Sequence, residues 1–303
     1  MMADRKRLKR SLTSWRVLAI LALLVAAVVA AQAMNATGTS GSLGGDYIAQ
    51  ITIDGVMGDN KERNELLDKI RDDKHAKALL VQMDSPGGTT FGGEELYLKF
   101  REIGKKKPVV GVMRTLCASA CYMASLGTDH VVAREGTLTG SIGVLLQSVE
   151  VSRLAEKLGI TPITIKSGRY KDAPSFTEPF ADDQRAVVRE VVNDAYEHFT
   201  GMIIERRKMT PEQVAKLADG RVYTGRQAAQ LDLIDGLGGK DEALAWLAAQ
   251  RKVNPKLELK EMDAKPKYES LFSRLSQWTG IKIFNNSSVG LDGLISIWQH
   301  PAM

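Results

Sequence analysis

Only two cysteines, Cys117 and Cys121, occur in the 303 residues, too few for a disulfide framework. They stand four apart in a stretch whose pattern predicts a helix, where their Cβ vectors run side by side, a poor geometry for a bond between them. Histidine is nearly as scarce. Of His75, His130, His198 and His300, none lies in a segment that reads as a site, so a Ser-His-Asp triad is disfavoured, with Asp129-His130 as its one opening. An internal repeat and a long low-complexity tract are also absent, which excludes a solenoid and a duplicated catalytic unit.

Positive charge is in modest excess, +5 overall, but Arg5, Lys6, Arg7, Lys9, Arg10 and Arg16 crowd ahead of the first apolar run. The excess therefore belongs largely to a tail and argues poorly for a nucleic-acid partner. Residues 17–33, VLAILALLVAAVVAAQA, carry no charge and fall slightly short of the ~20 residues a bilayer usually requires. Trp15 can anchor at the interface. A basic flank before this run and an uncharged one after it place residues 1–16 in the cytoplasm and everything past Ala33 outside, by the positive-inside rule. The expectation is a retained single-pass anchor. Ala31-Gln32-Ala33 also has the small-x-small form of a cleavage site, and a cleaved signal leaves the same topology.

Residues 34–46 are small, polar and glycine-rich and read as a flexible tether. From Tyr47, short β-branched runs alternate with helical patterns: Ile48–Ile53, Glu62–Arg71, Ala78–Met83, Gly93–Ile103, Val109–Met113, a helix after Ser119, then Val131–Ala133. This alternation predicts an α/β domain with parallel strands and right-handed crossovers. A further strand is expected at Ile163–Ile165. Apolar residues from Val187 to Ile203 recur at helical spacing and predict one broad face for the core or a second subunit. Thr210-Pro211-Glu212-Gln213 and Thr224-Gly225-Arg226-Gln227 have the form of capping boxes, with Gly220 closing the helix between them. Residues 250–303 turn polar, then present a helical apolar face from Tyr268 to Ile281, expected to dock on the domain or on a neighbouring subunit.

Three stretches can carry chemistry. Asp84-Ser85-Pro86-Gly87-Gly88 follows a strand, and its glycines can turn backbone N–H groups into open space to receive an oxyanion; by itself it reads as merely a turn. Ser119 stands among small residues where a strand gives way to a helix, at the positive end of a helix dipole, and by itself reads as a helix-packing serine. It needs a base. A lysine can serve if burial and a nearby dipole bring its pKa down from ~10.4, and Lys166-Ser167-Gly168-Arg169-Tyr170-Lys171-Asp172 is the loop that offers one. Composition alone makes that loop a solvated basic stretch.

DSPGG at 84–88, ASACY at 118–122, TLTGSIGV at 137–144, KLGI at 157–160, IKSGRYKD at 165–172 and DGRVYTGRQA at 219–228 together resemble the short form of signal peptide peptidase A, in the right order over Tyr47 to Ala249. The resemblance implies a Clp protease/crotonase-like (ββα-superhelix) α/β fold for residues 47–249, preceded by a transmembrane helix and followed by a helical extension. It implies that Ser119 is the nucleophile, that Lys171 is the base while Lys166 matches the motif's other lysine, and that Gly88, or else Gly87, supplies the oxyanion-hole amide. Substrate contacts are expected from Ser141, Ala120 and Cys121. The family usually has two glycines after the serine, where this chain has Ala120-Cys121; the difference bears on pocket size. The implied activity is a serine endopeptidase acting on signal peptide remnants and other apolar peptides at the outer face of a bacterial inner membrane, with no metal or cofactor. It implies a homo-oligomer with sites completed across subunits. The alternatives are a related Clp-class membrane peptidase with one specific membrane protein substrate, and an inactive membrane scaffold.

Overall fold

A strand buried on both faces needs apolar residues in both phases of its alternation, and Ala78-Leu79-Leu80-Val81 has them. In the computed structural model, which describes residues 45–263 and the backbone of 295–297, this run is the centre of β2 (Ala76–Ser85). β1 (Tyr47–Asp54) and β4 (Val109–Ala118) flank it, both parallel to it. The expected tail at 1–16, the anchor at 17–33, nearly all of the tether at 34–46 and the helical face from Tyr268 to Ile281 lie outside the described residues. Among the described residues, no helix is long and apolar enough to cross a membrane.

Alternate side chains of β2 feed two separate cores. Leu79 and Val81 pack with Leu96, Phe100 and Tyr122 on one face; Ala78 and Leu80 pack with Val110, Val132 and Leu247 on the other. The first face is covered by α1 (Lys61–Asp72), α2 (Thr90–Gly104) and α3 (Ala120–Ser125), the second by α8 (Lys240–Arg251). Their starts are set by local chemistry. The Asn60 side chain accepts from Arg63 N at 2.8 Å, and Thr89 Oγ1 accepts from Gly92 N at 3.0 Å, each satisfying a helix N–H that has no carbonyl partner.

β4 belongs to two neighbourhoods. Its first half, Val110 to Met113, pairs with β5 (His130–Ala133). Its second half, Leu116 to Ala118, pairs with β6 (Leu138–Gly140). The strand thus runs past β5 before the chain turns into α3, and Ser119 sits at that turn. α4 (Ser152–Lys157) follows, then the long α5 (Asp182–Arg207) and α6 (Pro211–Leu217). β7 (Val222–Thr224) pairs antiparallel with β6. α7 (Gly225–Gln230) and β8 (Gly236–Leu237) complete the α/β order, and β9 (Glu258–Glu261) adds to β1 in parallel. Residues 258–261 therefore join the sheet as an edge strand. Both capping boxes form, with Gln213 N on Thr210 Oγ1 and Gln227 N on Thr224 Oγ1.

One expectation requires correction. No strand forms at 163–165: this stretch has no strand alongside it to satisfy its backbone, and Ile163 and Ile165 are 86% and 96% exposed. The apolar face of α5 is only half covered. Phe199, Met202 and Ile203 are buried, Phe199 beside Tyr122, whereas Val187 and Val191 stand 37% and 50% exposed. Leu154, Leu158, Ile160 and Phe176 are exposed in the same part of the sequence.

Candidate active site

Ser119 links β4 to α3 with φ 61° and ψ −118°. For a residue with a Cβ such a conformation costs about 1–3 kcal/mol and persists only where its surroundings impose it. They do so here: the Ser119 N–H donates to Gly140 O at 2.7 Å, and its carbonyl accepts from Met123 N at 2.9 Å. Thr139 Oγ1 donates to Cys117 O at 2.7 Å, tying the strand end to β6. The small neighbours are a packing requirement as well. A Cβ on Gly93 of α2 would come within 2.9 Å of the Ala120 carbonyl and 3.0 Å of its Cβ, so α2 presses directly on the turn that carries the serine.

The cysteines contradict their expected separation. Cys117 and Cys121 form a disulfide, with Cα atoms 5.1 Å apart. The helix begins only at Ala120, so Cys117 is the penultimate residue of a strand and not one turn back along a helix. The sharp turn at Ser119 brings the two side chains together. Cys121 and Ala120 are both buried and neither lines the cavity beside Ser119. A thiol nucleophile is removed by the same bond.

The DSPGG turn is held by its serine. Ser85 Oγ donates to Gly55 O at 2.6 Å and accepts from Gly87 N at 3.1 Å. The Gly87 amide is thereby occupied, and Gly87 has φ 109°, which only glycine adopts readily. β3 (Gly87–Thr89) lies against α3, and against Met57 on one side. Met57 N donates to Gly87 O and Thr89 N to Met57 O, each at 2.8 Å. Since successive residues of an extended strand present amide and carbonyl to opposite sides, Gly88 directs its own pair to the other edge. That edge carries an antiparallel strand, β10 (Ile295–Ile297), with Ser296 opposite Gly88; β10 also approaches α3.

Ser119 opens onto a cavity of about 540 Å³ lined by Ser141, Ile142, Leu145, Val192 and Tyr196, with Asp219 and Gly220 at its side. Ser141 also has positive φ, 48°, and its N–H donates to Arg221 O at 2.8 Å. The structure thus brings Ser119 and Ser141 together. Lys171 is exposed on its loop, its N–H on Gly168 O at 3.2 Å, and does not line this cavity. Lys166 pairs with Asp172 at 2.7 Å and with Glu178. These bonds, Asp172 first, raise its pKa. His130 stacks on Trp246 with ring centres 4.6 Å apart; burial pushes its pKa below the ordinary histidine value, Asp235 opposing. It does not line the Ser119 cavity, so the Asp129-His130 opening leads to no triad.

Sequence reasoning missed Tyr196 and Val192, which line the cavity from α5; helical periodicity marks an apolar face without saying what it faces. It also missed Ser85, whose signal was a hydroxyl between a strand and two glycines.

Residues 101–254 match the model of peptidase family S49. A candidate protease of Synechocystis sp. is 36% identical over 222 residues, 72% of this chain and 80% of its own length. A candidate signal peptide peptidase A of Enterococcus faecium is 31% identical over 268 residues, 83% of this chain and 76% of its own. Among solved structures, a ClpP1 mutant from Listeria monocytogenes overlays with a TM-score of 0.41 at 14% identity, covering 64% of this chain and 93% of that one.

Proposed function

The chain belongs to peptidase family S49 and is a serine protease, and on that premise we propose that Ser119 is its nucleophile, Lys171 its general base and Gly88 N–H its oxyanion donor. The observation that carries the reading is the turn at Ser119, held at positive φ where β4 gives way to α3, the helix against which β3 and its Gly88 also lie. An uncharged Lys171 amine takes the Ser119 Oγ proton as the oxygen bonds to the peptide carbonyl carbon. Negative charge gathers on the carbonyl oxygen and is met by the Gly88 N–H. Collapse breaks the C–N bond, Lys171 returns the proton to the leaving amine, and water then hydrolyses the acyl-enzyme.

Lys171 stands exposed in the single chain, and the surfaces near it in sequence, Ile163, Ile165 and Phe176, are apolar and uncovered. A second copy of this chain covers them in our reading, and the assembly brings Lys171 to a serine and excludes water from it. The substrates are apolar peptides, signal peptide remnants among them. Ile142, Val144, Leu145 and Val192 on the cavity wall favour apolar side chains, and the edge of β3 already accepts an antiparallel strand, the form in which an extended peptide binds. Residues 17–33 anchor the enzyme in the inner membrane with Tyr47 onward outside the cytoplasm, concentrating it near such peptides.

The test is hydrolysis of an apolar signal-sequence peptide by the full chain in detergent. The wild type cleaves it, and Gly88→Ala lowers kcat by about 10²- to 10³-fold, because a Cβ there would overlap the Met57 carbonyl and displace the amide. Cleavage of only one particular membrane protein would favour the specific-partner alternative, and no cleavage of any peptide the inactive scaffold.

A further inference from the structure

The disulfide closes a ring of five residues, Cys117-Ala118-Ser119-Ala120-Cys121, and Ser119 is the middle one. Each end of the ring is seated in a different element. Cys117 is in register with Thr139 of β6, and Cys121 is the second residue of α3. α3 is six residues long, and no side-chain hydrogen bond caps its start. The sulfur bridge is thus a second covalent link, beside the main chain, between the end of the strand and the first turn of the helix, spanning the position where the backbone takes a disfavoured conformation. Both cysteines are buried beneath the turn, and Ala120 and Cys121 stand outside the cavity that Ser119 opens onto. Their influence on the reaction must therefore pass through Ser119.

The stabilisation a disulfide confers by restricting the unfolded chain grows with the length of the loop it closes. A ring this short gives little of that. What it restricts is the ring itself, and a nucleophile displaced by about 1 Å can lose 10²-fold in rate.

We propose that Cys117 and Cys121 are positioning residues: their disulfide fixes the Ser119 backbone at the attacking geometry, so that acylation of Ser119 depends on the oxidised pair. The proposal rests on Ser119 being the nucleophile. Loss of the bond requires a two-electron reductant such as a dithiol. Its two S–H groups supply two electrons and two protons, the S–S bond becomes two thiols, and the dithiol closes to its own disulfide.

The experiment compares full-length wild type, isolated without reductant, with the Cys117→Ala/Cys121→Ala double variant. The readouts are the acylation rate by a fluorophosphonate probe, kcat and KM for an apolar peptide, and the thermal midpoint. The expected result is acylation and kcat about 10- to 100-fold lower in the variant, with KM within about twofold. A purely structural role would lower the thermal midpoint and leave kcat per folded enzyme unchanged. Should the variant fail to fold, a cycle of dithiol reduction and reoxidation of the wild type replaces it, with loss and recovery of acylation expected. Wild-type acylation rates in the variant or the reduced enzyme would overturn the proposal, as would native protein whose two thiols both alkylate. Absence of any adduct on oxidised wild type would instead remove the Ser119 reading, and this proposal with it.

Discussion

Lys171→Ala lowers kcat of the full-length enzyme by about 10⁴- to 10⁶-fold, the range seen when one member of a catalytic unit is removed, while a melting curve remains close to wild type. Stability is spared because the side chain is exposed on a loop and its backbone makes the bond to Gly168 O that any residue there would make. The loss is chemical: without an acceptor for the Oγ proton, serine attacks as a neutral alcohol. Lys166→Ala behaves differently. It leaves Asp172 and Glu178 without the cation that pairs them, loosening the loop and reducing activity through the placement of Lys171. If the site is completed by a second copy, mixing and reassembling inactive Lys171→Ala and Ser119→Ala chains restores peptide hydrolysis, since some sites then hold one intact lysine and one intact serine. Hydrolysis is measured before and after mixing; a mixture as inactive as its parts places both groups in one chain.

Ser119→Ala has the other large effect, a fall in kcat of about 10⁴-fold or more with little change in KM. The hydroxyl is small and the residue 99% enclosed, so the methyl fits where the serine stood. The backbone bonds to Gly140 and Met123 do not involve the side chain and persist. Positive φ is no more costly for alanine than for serine by any wide margin. Binding should therefore survive and turnover should not, which is read by kcat and KM from peptide hydrolysis together with retained binding of an apolar peptide. A parallel loss of binding and folding would instead mark Ser119 as a structural residue of the turn.

How far the sequence discloses this molecule depends on what each feature needs. The parallel α/β core was readable because branched apolar runs such as Ala78–Met83 and Val109–Met113 can be little else when buried on both faces. Capping boxes at Thr210 and Thr224 were readable because their chemistry is local. The turn at Ser119 was placed correctly at a strand–helix boundary, yet the boundary itself was drawn too early. That one error reversed the reading of Cys117 and Cys121, which pair because one is on a strand and the other on a helix. Ile163–Ile165 looked like a strand because branched residues favour one, but an extended segment with nothing beside it makes no ladder. β10 was invisible for the converse reason. Nothing local marks Ile295–Ile297 as the partner of Gly87–Thr89, some two hundred residues earlier in the chain. Lys171 was proposed from its motif alone, and the motif does not state which chain a lysine there would serve.

The site's central claim is that one hydroxyl is made nucleophilic by one lysine amine. The direct measurement is covalent: full-length wild type, Ser119→Ala and Lys171→Ala are each incubated with a fluorophosphonate probe, digested and mapped by mass spectrometry. The account predicts a single adduct on Ser119 in the wild type, none in Ser119→Ala, and at most a trace in Lys171→Ala. An adduct on another serine, or labelling of Ser119 at the wild-type rate in Lys171→Ala, would contradict it.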